Sequence, residues 1–309
     1  MKKDNIRDRI LVFLKTLPPV VSVKAYGSSI AYQAGYSENE KKQVDLIVIV
    51  DDIKKFYMEN LQKNPYMYDL IPRIYFKNAK EKGLRKHAGI CYTTNIDYGI
   101  DTYKMGVIEK RDVLEDLLEW KTFYIAGRFQ KEMFTAIEDE DIEKANEINK
   151  KNALTVALLL LDKENPTLSD LYEKICSLSY MGDSRKNFKA EDPNKIKKLA
   201  SGSREHFDRE YRDKTDLFEV GDNEVIKIDK EKLYSRIKFL PTKLYEEIKE
   251  NTNGDVHNIE VVRDTISSYL TRIIKKSSNG QTRKGILTTG PKNSFTYALA
   301  KLKKGRKKG

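Results

Sequence analysis

Two stretches decide the fold: VVSVKAYGSS at residues 20–29 and VDLIVIVDD at residues 44–52. The first reads as a strand over 20–26 that runs into Gly27-Ser28-Ser29, where a helix start is expected. The second is an aliphatic run rich in β-branched residues over 44–50, the pattern of a strand buried on both faces. Its one polar member is Asp45. A Gly-Ser turn at a helix start offers backbone N–H groups and a hydroxyl to a phosphate, helped by the helix dipole. An acid in an otherwise aliphatic strand is costly unless a cation or hydrogen-bond donors compensate it. Together these features suggest a Mg²⁺-nucleotide site, with Ser28 near the phosphates and Asp45 on the metal. The same residues also admit an ordinary turn followed by a strand-end acid.

Working outward, Ile6, Ile10, Phe13, Leu14 and Leu17 have helical spacing, and Pro18-Pro19 stops the helix. Residues 53–60 look helical, and Asn64-Pro65 marks a loop. Residues 89–94 and 103–108 are short strand candidates around a turn at 97–99. From Lys110 the pattern becomes helical, over 111–127, 143–161 and 168–179, while 224–228 is short and mixed. The order predicts an α/β front, a helical middle and a basic end, with boundaries near 140 and 240.

The chain has 309 residues, of which 39% are apolar, and a formal charge of +11. Its two cysteines, Cys91 and Cys176, and three histidines show no metal-ligand spacing, which excludes a disulfide framework and a Cys or His zinc site. No run of 18 apolar residues occurs, and the first ten residues resemble neither a signal peptide nor a typical presequence. A soluble, intracellular protein is expected. The charge is uneven. Residues 265–309 carry twelve Lys/Arg and no acid, whereas residues 1–264 carry 46 basic and 47 acidic residues. The basic end also holds Phe295, Tyr297, Leu299 and Leu302. Apolar residues among lysines suit an anionic lipid surface, where each cation adds roughly 1 kcal/mol. Composition alone also leaves a nucleic-acid arm or a solvated end open.

The strand, Gly-Ser turn and acid-bearing strand resemble the polymerase-β-like nucleotidyltransferase superfamily. One departure is that its second strand acid is missing: position 47 is Ile, and Asp51 lies about 20 Å further along an extended strand. The spacing from Ser28 to Asp45 is also longer than is common there. Longer stretches resemble, over nearly the whole chain, the mitochondrial translocator assembly and maintenance family of peripheral-type phosphatidate cytidylyltransferases. They are AYGSSIAYQAG (25–35), VDLIVIVDD (44–52), NLQKNPYMY (60–68), AGICY (88–92), KMGVI (104–108), DLLEWKTFYIAGRFQK (116–131), LSYMGDSRK (178–186) and GQTRKGILTTGPKNSF (280–295).

The resemblance implies CMP transfer from CTP to phosphatidate, giving CDP-diacylglycerol and pyrophosphate with Mg²⁺. It implies a nucleotidyltransferase domain over 1–140, a helical, winged-helix-like domain over 141–240, and a basic membrane-contacting region over 241–309. Gly27, Ser28 and Ser29 would hold the triphosphate, and Asp45 the metal. Lys104, Arg128 and Lys131 would neutralise phosphate, and Asp183 with Arg185 would close over the nucleotide. Each has a plainer reading: Lys104 as a solvated strand lysine, Arg128 or Lys131 as partners of Asp116 or Glu119, and Asp183 as a loop cap. Asn149 is a weak candidate, Trp120 reads as core, and both cysteines as buried apolar residues. The basic end is expected on an anionic membrane and not on nucleic acid. The absence of a presequence suggests a bacterial-type member, peripheral on the inner face of the cell membrane; a eukaryotic member would sit on the matrix side of the mitochondrial inner membrane. The alternatives are a nucleotidyltransferase of the same fold acting on RNA or a soluble acceptor, and a non-catalytic lipid-binding scaffold. Oligomeric state is not specified.

Overall fold

The computed structural model describes residues 2–27, 30, 43–182 and 194–289. Helix α1 (Lys2–Leu14) is followed by β1 (Ser22–Tyr26) and β2 (Val44–Val50), which pair antiparallel with Tyr26 opposite Asp45. Asp52 then caps α2 (Ile53–Lys63), its carboxylate accepting from the Lys55 N–H at 2.8 Å. A 3-10 turn (Pro65–Met67), α3 (Leu70–Asn78) and α4 (Glu81–Leu84) lead to the hairpin β3 (Cys91–Tyr98) and β4 (Asp101–Glu109). Strand β4 lies parallel to β2, with Lys104 opposite Asp45, and the first sheet has the order β3-β4-β2-β1-β5. After α5 (Lys110–Glu119) and α6 (Ala126–Phe129), β5 (Phe134–Ile137) completes that sheet on the β1 edge.

The remainder is helical apart from one small hairpin, β6 (Phe218–Val220) with β7 (Ile226–Ile228). Helices α7 (Glu140–Leu159), α8 (Leu168–Leu178), α9 (Lys195–Gly202) and α10 (Arg204–Phe207) precede it. After it come α11 (Lys230–Arg236), α12 (Thr242–Asn251) and α13 (Ile259–Thr289).

Period-two alternation gives the sheet two apolar faces. Val44, Leu46, Val48 and Val50 pack with α1, α2 and the ring stack of Tyr57 on Phe76, whose centroids are 3.7 Å apart. Ile47 and Ile49 face the other way, into a core shared with α5, α7, α8 and α13. Asp45 has the parity of Ile47, and Lys104 that of Gly106 and Ile108. The strand-end charges therefore lie on the helical side.

The helix expected over 111–127 ends early, with Trp120 in the left-handed region at φ 47°. The reason is Asp116, a buried carboxylate that gathers the following loop. It accepts from the Thr122 N–H (2.6 Å) and hydroxyl (2.8 Å), and from the N–H groups of Phe123 (2.9 Å), Ile125 (2.7 Å) and Ala126 (3.1 Å). Trp120 is core, as read, and both cysteines are buried. The charge change near residue 265 does not mark an end of the fold. It falls inside α13, whose Ile266, Tyr269, Leu270 and Ile274 are buried, and whose Gln281 amide donates to the Ile90 carbonyl at 2.9 Å.

Removing the Asp116 carboxylate strands several buried donors. Asp116→Ala is expected to lower unfolding stability by about 3 kcal/mol, read by urea denaturation. A loss well under 1 kcal/mol would show that the loop finds other acceptors.

Candidate active site

The site is built from the ends of three adjacent strands. Tyr26, Asp45 and Lys104 lie in register across β1, β2 and β4. The Lys104 ammonium is 3.2 Å from Asp45 Oδ1, so the strand acid has the compensating cation that its aliphatic surroundings demand. Both side chains keep some solvent access, 26% for Asp45 and 17% for Lys104, which leaves the pair open to a ligand. Gly27 follows at φ 85°, and a Cβ there would stand 3.1 Å from Asp45 Oδ2. Backbone conformation and the closeness of the carboxylate both require glycine at this position.

Three phenols floor the mouth. The Tyr92 hydroxyl lies 3.5 Å from that of Tyr26 and 3.4 Å from that of Tyr124. Burial pushes the Tyr26 phenol up and that of Tyr92 well up, so both stay neutral at physiological pH. The Tyr92 ring fits because Gly106 is opposite it, where a Cβ would come within 2.6 Å of the ring. Cations sit on these rings: Lys104 lies 4.6 Å from the Tyr92 centroid, and Arg128 3.8 Å from that of Tyr124 and 5.9 Å from that of Tyr26. Arg128 also donates to the Tyr124 carbonyl.

One turn on, the Lys131 ammonium donates to the Gly127 carbonyl and the Ser179 hydroxyl, each at 2.7 Å. Lys131 and Lys195 lie 5.4 Å and 5.0 Å from the Tyr180 centroid. Burial pushes Lys131 down to about 8, with Arg128 and Lys195 acting in the same direction. Neither Arg128 nor Lys131 bonds Asp116 or Glu119: the first serves the α5 loop, and the second accepts from the Thr242 N–H and hydroxyl.

Asp45, Lys104, Gly27 and Arg128 thus meet at one mouth, with Lys131 close to Arg128. Ser28, Ser29, Asp183 and Arg185 lie outside the described residues. Asn149 is structural: its amide joins Trp120 Nε1 (2.9 Å), Gln130 (3.0 Å) and the Ala126 carbonyl (3.1 Å) in a buried network. Sequence reading missed Tyr26, Tyr92, Tyr124 and Lys195. The tyrosines lie within the family stretches quoted above, but nothing in their spacing shows that their hydroxyls converge.

Among the described residues no group of three or more His, Cys, Asp or Glu side chains is placed to hold a metal ion. One carboxylate beside several cations and glycine backbone suits a polyphosphate carrying its own Mg²⁺, since that ion takes one or two protein carboxylates and fills its shell with phosphate oxygens and water. The donor set therefore fits a metal–nucleotide and not a protein-caged metal.

The family model for mitochondrial phosphatidate cytidylyltransferase matches residues 10–304. The chain belongs to this family. Its relatives include the proteins named mitochondrial phosphatidate cytidylyltransferase in Schizosaccharomyces pombe, Caenorhabditis briggsae and Xenopus laevis. The first is 32% identical, with 93% of this chain and 80% of the relative aligned. The second is 31% identical over 96% and 97%, and the third 32% identical over 96% and 93%. Among the described residues no helix is long and apolar enough to cross a membrane.

The low Lys131 value has a signed consequence. The unfolded chain keeps this proton to about 10.5 and the folded chain releases it near 8, so between these the unfolded state binds more protons and stability rises with pH. Wild type is expected to gain on Lys131→Met by up to about 1 kcal/mol per pH unit across that window, in urea melts at stepped pH. A constant difference would mean that Lys131 keeps an ordinary affinity for its proton.

Proposed function

We propose that the protein transfers CMP from CTP to phosphatidate, releasing pyrophosphate and forming CDP-diacylglycerol at a membrane surface. The observation that carries this reading is the Asp45–Lys104 pair, open to ligand beside Gly27 and Arg128, in a chain related along nearly its whole length to enzymes named for that reaction. We read the α/β part as a polymerase-β-like nucleotidyltransferase unit, supported by Gly27 directly after β1 and the acid on β2. The helical part with its β6–β7 hairpin is read as winged-helix-like.

In this mechanism Gly27 lets the triphosphate approach the β1 turn closely, beside the Asp45 carboxylate. Asp45 would hold Mg²⁺ together with the CTP phosphates. When bound, the ion neutralises the triphosphate and its leaving group. Lys104 exchanges part of its contact with Asp45 for a phosphate oxygen, and Arg128, braced on Tyr124, presents its guanidinium to the same charge. A phosphate oxygen of phosphatidate attacks the α-phosphorus in line. The new P–O bond forms as the bond to the β-phosphate bridging oxygen breaks, and pyrophosphate departs. The nucleophile is already an anion, so the three phenols are not needed as bases, and the raised values of Tyr26 and Tyr92 leave those two as hydrogen-bond donors. Lys131 adds positive charge behind Arg128. The protein would act as a peripheral enzyme on the membrane that holds its lipid substrate.

Pyrophosphate release with Mg²⁺-CTP and phosphatidate vesicles tests the assignment. Asp45→Asn is expected to lower kcat about a thousandfold and Lys104→Met about a hundredfold, with ATP, GTP and UTP poor substitutes for CTP. Full activity in Asp45→Asn, or turnover without phosphatidate, would overturn it.

A further inference from the structure

Helix α3 presents an apolar ridge that the fold leaves uncovered. Leu70, Ile71 and Ile74 are 71%, 44% and 54% exposed, although Pro72 and Phe76 on the other side of the same helix are buried. At 100° per residue the three exposed positions fall within one arc, and Lys77 falls in line with Leu70 about two turns further on. Tyr66, in the 3-10 turn just before α3, is 57% exposed. Three adjacent branched aliphatics on one short helix differ from the scattered exposed apolar residues that any surface carries.

The surroundings identify the occupant. Residues 66–86 hold six Lys/Arg against two acids, so the ridge is fringed with positive charge. Lys77, Lys80 and Lys82 are exposed. Helix α3 and the turn before it sit at the β3 edge of the sheet, where the 3-10 turn packs on β3 and α13 packs on both β3 and α3. Helix α13 delivers the chain at Thr289 to residues 290–309, which carry seven Lys/Arg and no acid. Strand β3 is next to β4, which carries Lys104. Aliphatics that gain by leaving water, long-stemmed lysines around them and a basic segment entering from a helix packed alongside are what an anionic bilayer surface meets.

We propose that Leu70, Ile71 and Ile74 of α3 insert into the headgroup–acyl boundary of an anionic bilayer, and that α3 is a second membrane contact besides the basic C-terminal segment. This rests on the reading that the acceptor is a bilayer lipid. Inserting α3 sets the β3 edge of the sheet against the membrane, two strands from Asp45, which orients the catalytic mouth with respect to its lipid substrate.

The test uses the full chain and phosphatidylcholine–phosphatidylglycerol vesicles, which hold no substrate, so that capture by the active site is not what is measured. The triple variant Leu70→Ser, Ile71→Ser, Ile74→Ser is expected to bind these vesicles about tenfold more weakly than wild type. The pair Leu11→Ser, Val12→Ser, at 40% and 50% exposed positions of α1, should bind as wild type does. A second reporter does not depend on loss of binding. The only tryptophan, Trp120, is buried, so Ile74→Trp adds a probe whose emission should shift to the blue and be quenched by brominated acyl chains; Phe239→Trp, at a 60% exposed position elsewhere, should not respond. Unchanged binding of the triple variant, or an unquenched Ile74→Trp in vesicle-bound protein, overturns the proposal. So does a wild-type dimer in sedimentation velocity that the triple variant converts to monomer, because the ridge would then be an interface between copies. Turnover of CTP with a dispersed short-chain phosphatidate reports separately on the activity. Its absence in wild type would remove the catalytic reading, while the quenching result would still decide whether α3 enters a bilayer.

Discussion

The structure depends on a strand buried on both faces that must still end in a charge. Strand β2 is aliphatic from Leu46 to Val50 and has helices on either side, so its position in the sheet is set by the removal of both faces from water. Asp45 stands at the end of this strand, in the register of Tyr26 and Lys104. A carboxylate there is tolerable because β4 runs parallel to β2 and brings a lysine alongside it. The parallel pairing of β2 with β4 is thus the one that assembles this charge pair.

Other polar groups set the depth and shape of the mouth. Asp116 turns the end of α5 so that the short helix α6 carries Arg128 toward the strand ends, with Lys131 just after it, and Asn149 holds that turn from below through Trp120 and Ala126. Both residues look like site candidates in a list of polar side chains, and both are satisfied within the protein. The groups left for a ligand are those at the rim: the Asp45–Lys104 pair, the guanidinium on Tyr124 and the glycine of the β1 turn. Their balance is positive apart from one carboxylate, which suits phosphate-bearing substrates.

A lipid acceptor adds a constraint of scale. Phosphatidate stays in its bilayer, so the site that acts on it must be presented to a surface. Among the described residues no helix spans a membrane. Basic residues are concentrated after Thr265, yet part of that segment belongs to α13 and is packed on the sheet edge, with the Lys284 ammonium donating to the Leu84 carbonyl. Charge composition alone does not tell which of these cations serve the fold, because a lysine can serve a backbone carbonyl as readily as a phosphate.

By itself the sequence determined the α/β order, the strands before Gly27 and around Asp45, and the family, since these rest on local pattern and on long matching stretches; it also pointed to Gly27, Asp45, Lys104, Arg128 and Lys131, which the fold brings near one another. Buried Trp120 and both cysteines were legible from their apolar character. Helix α3 and the length of α13 were not, because short or polar helices gain their stability from packing and carry weak periodicity of their own. The early end of α5 was likewise hidden, since one carboxylate reaching several N–H groups leaves no spacing signal. Only the tertiary structure decided that Lys104 neutralises Asp45 and that Tyr26, Tyr92 and Tyr124 converge beneath Arg128. The Asp45–Lys104 and Tyr26–Arg128 contacts join residues 59 and 102 positions apart, and their geometry is set by strand register and the hand of the sheet rather than by any property of the chain near each residue.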